Sequence, residues 1–318
     1  MNNFKKIGLT ALAGSLVATS VAYAGALTAT GTAGVHMANS SQSAAGKTIS
    51  MDNSVTFKGS GETDGGLNVS LSFELDSGVD TGTGTGPFDS HSVSIGNDSL
   101  GTVTVHGHGG SNSAAALDTT AAGDLWDSTL GISKKNDPEA SASGNNLVVY
   151  AFPTIMDGLS LAASYASDGE NDAGSTAYGG TYTGIDGLSL SFGKGSDNTT
   201  KNVDKDQTIM KASYAYGSFT LGYSNNDFDH TTVSSDQEVT SIDLSYTVSD
   251  SISISYGEET IEKTGTSSDI EVEGVTASYT SGGMTVKVKS VEATNVDHSN
   301  TAANNDNEMW KISLSFAF

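Results

Sequence analysis

The chain has no cysteine, no arginine and only three prolines among its 318 residues. Without cysteine there is no disulfide framework, no thiolate metal site and no cysteine nucleophile. Without arginine, all fourteen basic residues are lysine, against 37 Asp and Glu, for a formal net charge of −23. That balance excludes nucleic acid as a partner, because binding a phosphate backbone needs a basic face. Long apolar runs are missing as well: beyond the first 24 residues none approaches the ~18 residues of a membrane-crossing helix. Any membrane-spanning part must therefore be a closed barrel.

What is present begins with MNNFKKIGLTALAGSLVATSVAYAGA. Lys5 and Lys6 precede a short apolar stretch, and Ala22 and Ala24 flank Tyr23. This predicts a signal peptide over residues 1–24 and an exported chain from residue 25 to residue 318, of charge −25 once Lys5 and Lys6 are removed. The 38 glycines, with Ser and Thr throughout, favour short strands and turns.

Sixteen strand signals follow between residue 26 and the end. Leu67, Val69, Leu71, Phe73 and Leu75 alternate with polar residues, and so do Leu159, Leu161, Ala163 and Tyr165, and Ile242, Leu244, Tyr246 and Val248. The alternation is least regular at 146–155 and 175–184. Tight turns such as Asp64-Gly65-Gly66, Asp157-Gly158, Asp186-Gly187 and Gly282-Gly283 alternate with long polar loops, the longest at 110–145. One rim of turns and one rim of loops is the asymmetry of an antiparallel transmembrane β-barrel, and it predicts an all-β, sixteen-stranded one. Phe73, Tyr165, Phe192, Tyr223 and Tyr256 fall late in strands running toward loops. Phe152, Tyr216, Tyr246 and Tyr279 fall late in strands running back, so aromatics would girdle both rims.

The chain ends MWKISLSFAF, with Trp310, Ile312, Leu314, Phe316 and Phe318 on one face of the last strand. This ending resembles the C-terminal assembly signal of bacterial outer-membrane proteins. Leu100-Gly101-Thr102-Val103-Thr104-Val105, followed by Gly107, resembles the Phe-Gly strand before the third loop of general-diffusion porins. In strand count, loop order and ending the mature chain is similar to a Gram-negative general-diffusion porin of the alphaproteobacterial type. The resemblance implies a trimer of sixteen-stranded barrels in the outer membrane, and a third loop, 110–145, folded inward to narrow the pore. It further implies passive diffusion of small hydrophilic solutes, contact with outer-membrane lipid, and dependence on the barrel assembly machinery during export. Porins of that family line one constriction wall with arginine; here lysine must serve.

With the apolar parity of each strand taken as outward, Lys58, Lys211, Lys287, Lys289 and Lys311 face the lumen. Lys58, Lys287, Lys289 and Lys311 would form one basic wall patch, opposed by Asp118, Asp124 and Asp127 of the inward loop. His106 and His108 share a lumen face; two imidazoles with no third ligand favour pore lining over a metal. Asp168, Glu170 and Asp172 alternate in a loop, either as hard oxygens for Ca²⁺ or as an ordinary solvated acidic segment. No cofactor is otherwise expected. The expected channel is weakly cation-selective and no enzyme. The alternatives are an outer-membrane barrel enzyme, for which no Ser, His and Asp set has a distinctive spacing, and a secreted soluble all-β binding protein, which would have no use for two girdles.

Overall fold

The structure, a computed structural model, describes residues 27–41, 46–76, 89–126, 145–168, 173–200, 203–296, 298 and 306–318. The expected signal peptide lies outside them. Sixteen strands run in order: β1 Thr28–Ser40, β2 Thr48–Glu62, β3 Asn68–Asp76, β4 Ser90–Asn97, β5 Gly101–His108, β6 Leu147–Ala151, β7 Leu159–Asp168 and β8 Ala173–Ile185. They continue as β9 Leu188–Thr200, β10 Val203–Tyr216, β11 Phe219–His230, β12 Gln237–Ser249, β13 Ile252–Lys263, β14 Ile270–Ser281, β15 Met284–Thr294 and β16 Asn307–Ala317. Each pairs antiparallel with its neighbours, and β1 pairs with β16 to close the barrel. Among the described residues no helix is long and apolar enough to cross a membrane.

The two segments of irregular alternation differ from expectation in opposite directions. β6 stops at Ala151, short of residue 155, because Pro153 offers no N–H to a ladder. β8 is longer than expected at both ends, carried by its pairing with β7 and β9. The tight turns rest on glycine: Gly187 sits at φ 73°, where a Cβ would also collide with the Ala215 carbonyl oxygen.

Strand parity separates lumen from lipid, but the pattern changes face along a strand. In the half of β14 nearer its tight turn, Val275, Ala277 and Tyr279 point outward while Thr276 and Ser278 face the lumen. Beyond Gly274 the outward positions become Glu273 and Glu271, and Ile270 and Val272 are buried on the lumen side. The register never slips; the surroundings do. Below Gly274 the outer face meets lipid, and above it water, so carboxylates take the outward positions. Glu258, Glu273, Glu292 and Glu308 lie directly opposite one another across β13 to β16 at this level. The hydroxyl of Tyr256 donates to both Glu258 and Glu273, at 2.7 and 2.8 Å. Exposed aromatics stand at both rims, Tyr216, Phe219, Tyr246 and Tyr279 toward the turns and Tyr165, Phe192, Tyr223 and Tyr256 toward the loops.

Candidate functional site

After β5 the chain turns inward, and residues 109–126 run along the inner wall from β7 to β15. Apart from Thr120, which reaches ahead to β13, and Trp126, which reaches back to it, the order of contacts follows the order of strands. The Ser113 N–H donates to Ser164 Oγ on β7 at 2.9 Å. Ala114 and Leu117 pack with Ala177 of β8 and Ile209 of β10. The Lys211 ammonium on β10 donates to the Thr119 carbonyl. The Ala121 N–H reaches Ser224 Oγ on β11 at 2.8 Å, and the Ala122 N–H reaches Ser241 Oγ on β12 at 3.0 Å. Glu259 on β13 accepts from the Thr120 hydroxyl and, at 3.0 Å, from the Trp126 N–H. Lys289 on β15 donates to the carbonyls of Asp124 and Leu125 at 3.2 and 3.3 Å.

Two features of the wall make this seat possible. Lumen-facing glycines form a floor: a Cβ on Gly179 would meet Leu117 at 2.8 Å, and one on Gly257 would meet Ala122 at 2.5 Å. The loop backbone therefore comes closer to the wall than any side chain would allow. Above this floor Leu125 enters an apolar cluster with Val239, Ile261, Ile270, Val272 and Met309, all facing inward from β12, β13, β14 and β16. These are the residues whose apolar parity is reversed in the loop-side half of the barrel.

This path corrects the expected charge arrangement. Lys289 does not oppose the loop across the lumen; it lies beneath it and, like the lumen-facing Lys211, holds its carbonyls. Asp118 and Asp124 are consequently on the same side as these lysines. Asp124 accepts the Thr120 N–H at 2.9 Å and so closes its own turn. Asp118 is half-buried against Gln207. Burial, with repulsion from Asp124 added, raises its carboxyl above the usual aspartate range, against the hydrogen bond from Gln207 and the attraction of Lys211. Asp127 lies outside the described residues.

Lys289 and Lys311 are direct cross-strand partners, and Lys287 stands opposite Ser313, so these three do gather on β15 and β16. Lys58 does not join them. It pairs with Thr28 at the start of β1, whereas Lys311 pairs with Ala38 near its end. The barrel closes with a stagger along β1, which adjacency of strands in sequence order does not reveal. His106 has lumen parity on β5, but the register shifts by one residue after it. His108 therefore pairs with His91, of the outward parity of Val93, and does not share the face of His106; His108 Nδ1 lies against the Asp89 carbonyl. Among the described residues no three metal-ligating side chains converge. Asp168 ends β7, and Glu170 and Asp172 lie outside the described residues.

Several groups of consequence had no distinguishing motif. Glu259, 1% exposed, is one; its lumen parity beside Gly257 was the available signal. His36 is another: its Nε2 is 2.6 Å from Asp52 Oδ2 and its Nδ1 2.9 Å from Ser313 Oγ, so it ties β16, β1 and β2 across the closure seam. Asp52, Glu74 and Asp76 share the lumen parity of β2 and β3.

A family model described as Gram-negative porin matches residues 8–269. Among solved structures, an engineered variant of the Rhodopseudomonas blastica porin superposes with a TM-score of 0.65 at 16% identity, covering 92% of this chain and 100% of its own. A triple variant of the same porin gives 0.66 at 16% identity with the same coverage. A porin refined at 1.8 Å resolution gives 0.66 at 16%, again over 92% and 100% of the two chains. Comparison with curated proteins finds no match in sequence.

Proposed function

The chain belongs to the Gram-negative porin family, outer-membrane channels for the passive diffusion of small hydrophilic solutes, and from that premise we propose how this barrel sets its passage. The segment 109–126 narrows the lumen by lying along β7 to β15, and solutes pass between it and the arc formed by β16 and β1 to β6. The observation that carries this reading is the succession of wall contacts from Ser164 to Lys289. The molecule is a channel and carries out no reaction.

The channel is weakly cation-selective. Every lysine of the described strands except Lys194 has lumen parity. The carboxylate row from Glu258 to Glu308 stands outside the barrel, where salt screens it within about 8 Å. Much of the negative charge is thus kept out of the passage, and lumen carboxylates and lysines partly cancel. Reversal potentials across a salt gradient in a planar bilayer test this. Lys287→Glu with Lys311→Glu raises cation selectivity, and Asp118→Asn with Asp124→Asn moves it toward anions; the amide introduced at position 124 keeps the acceptor that closes the turn. Because the Asp118 pKa is raised, lowering the pH neutralises this group before ordinary aspartates. The wild-type cation preference therefore begins to fall at a higher pH than in Asp118→Asn, which lacks that first step. If neither double variant shifts the potential, these residues do not line the passage.

The barrel is a trimer in contact through β3 to β6. β4, β5 and β6 have 8, 8 and 5 residues, against the ~9–11 that a strand needs to cross the hydrocarbon. The outward residues of β3 to β6, among them Leu71, Val93, Ile95, Val105 and Val148, form an apolar wall better covered by protein than by lipid. An unboiled sample should run on a denaturing gel as an oligomer of three chains. Leu71→Lys with Val93→Lys should yield a folded, heat-modifiable monomer, and an unchanged oligomer would refute the contact.

A further inference from the structure

Beside this short-stranded wall, starting where β6 meets β7, the outer face of β7, β8 and β9 carries a groove of about 430 Å³. That volume falls within the range of about 300–1,000 Å³ for small-molecule sites. Its origin is a local deficit of side-chain volume. Gly180 stands between Leu161 and Phe192 in one cross-strand row, and Ala163 stands beside Tyr178 in the next. Tyr178 and Phe192, with ring centroids 6.2 Å apart, wall the groove on its loop side, and Tyr182 walls it toward the turns. All of these positions have the outward parity of the lipid-facing band.

Lys194 lies at the loop-side end. It is the direct cross-strand partner of Tyr178 and follows Phe192 by one dyad along β9. It is exposed and has no ion pair among the described residues. It is also the lysine of the described strands that points outward, one dyad loopward of Phe192 as Glu258 is one dyad loopward of Tyr256. An exposed ammonium at the top of an apolar groove, at the edge of the hydrocarbon, complements one amphiphile: an acyl chain below and an anionic headgroup above.

We infer that this groove seats one acyl chain of a phosphorylated lipid of the outer leaflet, with the lipid phosphate held by Lys194. The acyl chain fills the space over Gly180 and Ala163 between aromatic walls, and the ammonium supplies a charge-assisted hydrogen bond to a phosphate oxygen. The seat is independent of the passage, because every group in it points away from the lumen.

Native mass spectrometry of the detergent-purified oligomer tests it, with dioleoyl phosphatidylglycerol and dioleoylglycerol as probes. The two have the same chains and differ in the phosphate headgroup. The wild-type protein should retain one phosphatidylglycerol per barrel, roughly tenfold better than dioleoylglycerol, the weight of one charge-assisted hydrogen bond. Lys194→Glu should abolish that preference and Lys194→Arg should keep it. Gly180→Leu, which fills the groove, should lose both lipids, while single-channel conductance stays unchanged in all three. Equal retention of the two lipids by the wild type, or of phosphatidylglycerol by Lys194→Glu, overturns the phosphate contact. Unchanged retention by Gly180→Leu overturns the groove. Loss of the oligomer in Gly180→Leu with lipid retention intact would assign the face to a second copy, and would overturn the proposal as well.

Discussion

Removing Phe318, or replacing it with Asp, should abolish accumulation of the barrel in the outer membrane. In the structure Phe318 completes the seam. Its N–H donates to the Gly31 carbonyl at 3.0 Å, and its carbonyl accepts the Gly31 N–H at 2.7 Å. The ring lies over Gly31, where a Cβ would come within 2.6 Å of it. Yet the side chain is 75% exposed, facing the interface rather than a core. A charge on the outer face near the interface costs only about 0–1 kcal/mol of fold stability, too little to unfold a sixteen-stranded barrel. A severe defect therefore reports on reading of the last strand before the seam closes, and on the cost of an open edge in lipid, where each unsatisfied backbone group is worth several kcal/mol. Phe318→Tyr should behave as wild type. The measurement is the amount of heat-modifiable, protease-resistant protein in the outer-membrane fraction. Wild-type levels of Phe318→Asp would show that the terminus is not read, and that the seam holds without its last pair.

The sheet was legible in the sequence because lipid and water impose a dyad on every strand, and because turns and loops alternate from rim to rim. Ser315, Ser313 and Lys311 set against Phe316, Leu314 and Ile312 leave no other register. What the dyad does not carry is height. The parity rule assigned apolar residues to lipid, which holds for Val275 and Tyr279 and fails for Ile270 and Val272 on the same strand. The loop-side halves of β12 to β16 bury apolar residues inward because the outward positions there have already left the membrane. The stagger at closure is equally silent in a list of strands: Lys58 and Lys311 flank the same β1, but at its two ends. Nor does composition reveal which side of the lumen a loop takes. Lys211 and Lys289 had the parity expected of pore lysines, yet the loop came to lie on them. The glycines at 179, 193, 222, 257 and 274 were the sign of that path. In a strand interior such residues otherwise weaken the sheet, and their presence on one face marks close approach of another backbone.

Releasing the inward segment should change the channel more than any single charge in the lumen. Glu259 is the group to remove. It is buried beneath the segment and accepts two hydrogen bonds, from the Thr120 hydroxyl and the Trp126 N–H. Leaving a buried partner unsatisfied costs about 1–3 kcal/mol, so Glu259→Ala withdraws a large part of what fixes residues 120–126. Of the remaining holds on this stretch, the Ala121 and Ala122 N–H bonds to Ser224 and Ser241 fix only its start, and the Lys289 contacts to the Asp124 and Leu125 carbonyls and the burial of Leu125 hold its end. Gly257→Leu attacks the seat differently, by filling the floor on which Ala122 rests. Both variants keep β13 paired, because neither side chain takes part in its ladder. The expected result is the same for both: higher single-channel conductance, noisier open current, and faster swelling of liposomes in oligosaccharides too large for the wild-type passage. Glu259→Gln, which retains an acceptor for one of the two donors, should fall between wild type and Glu259→Ala. If Glu259→Ala and Gly257→Leu both insert normally and conduct as wild type, with the same size limit for sugars, then the segment from Thr120 to Trp126 does not set the width of the channel.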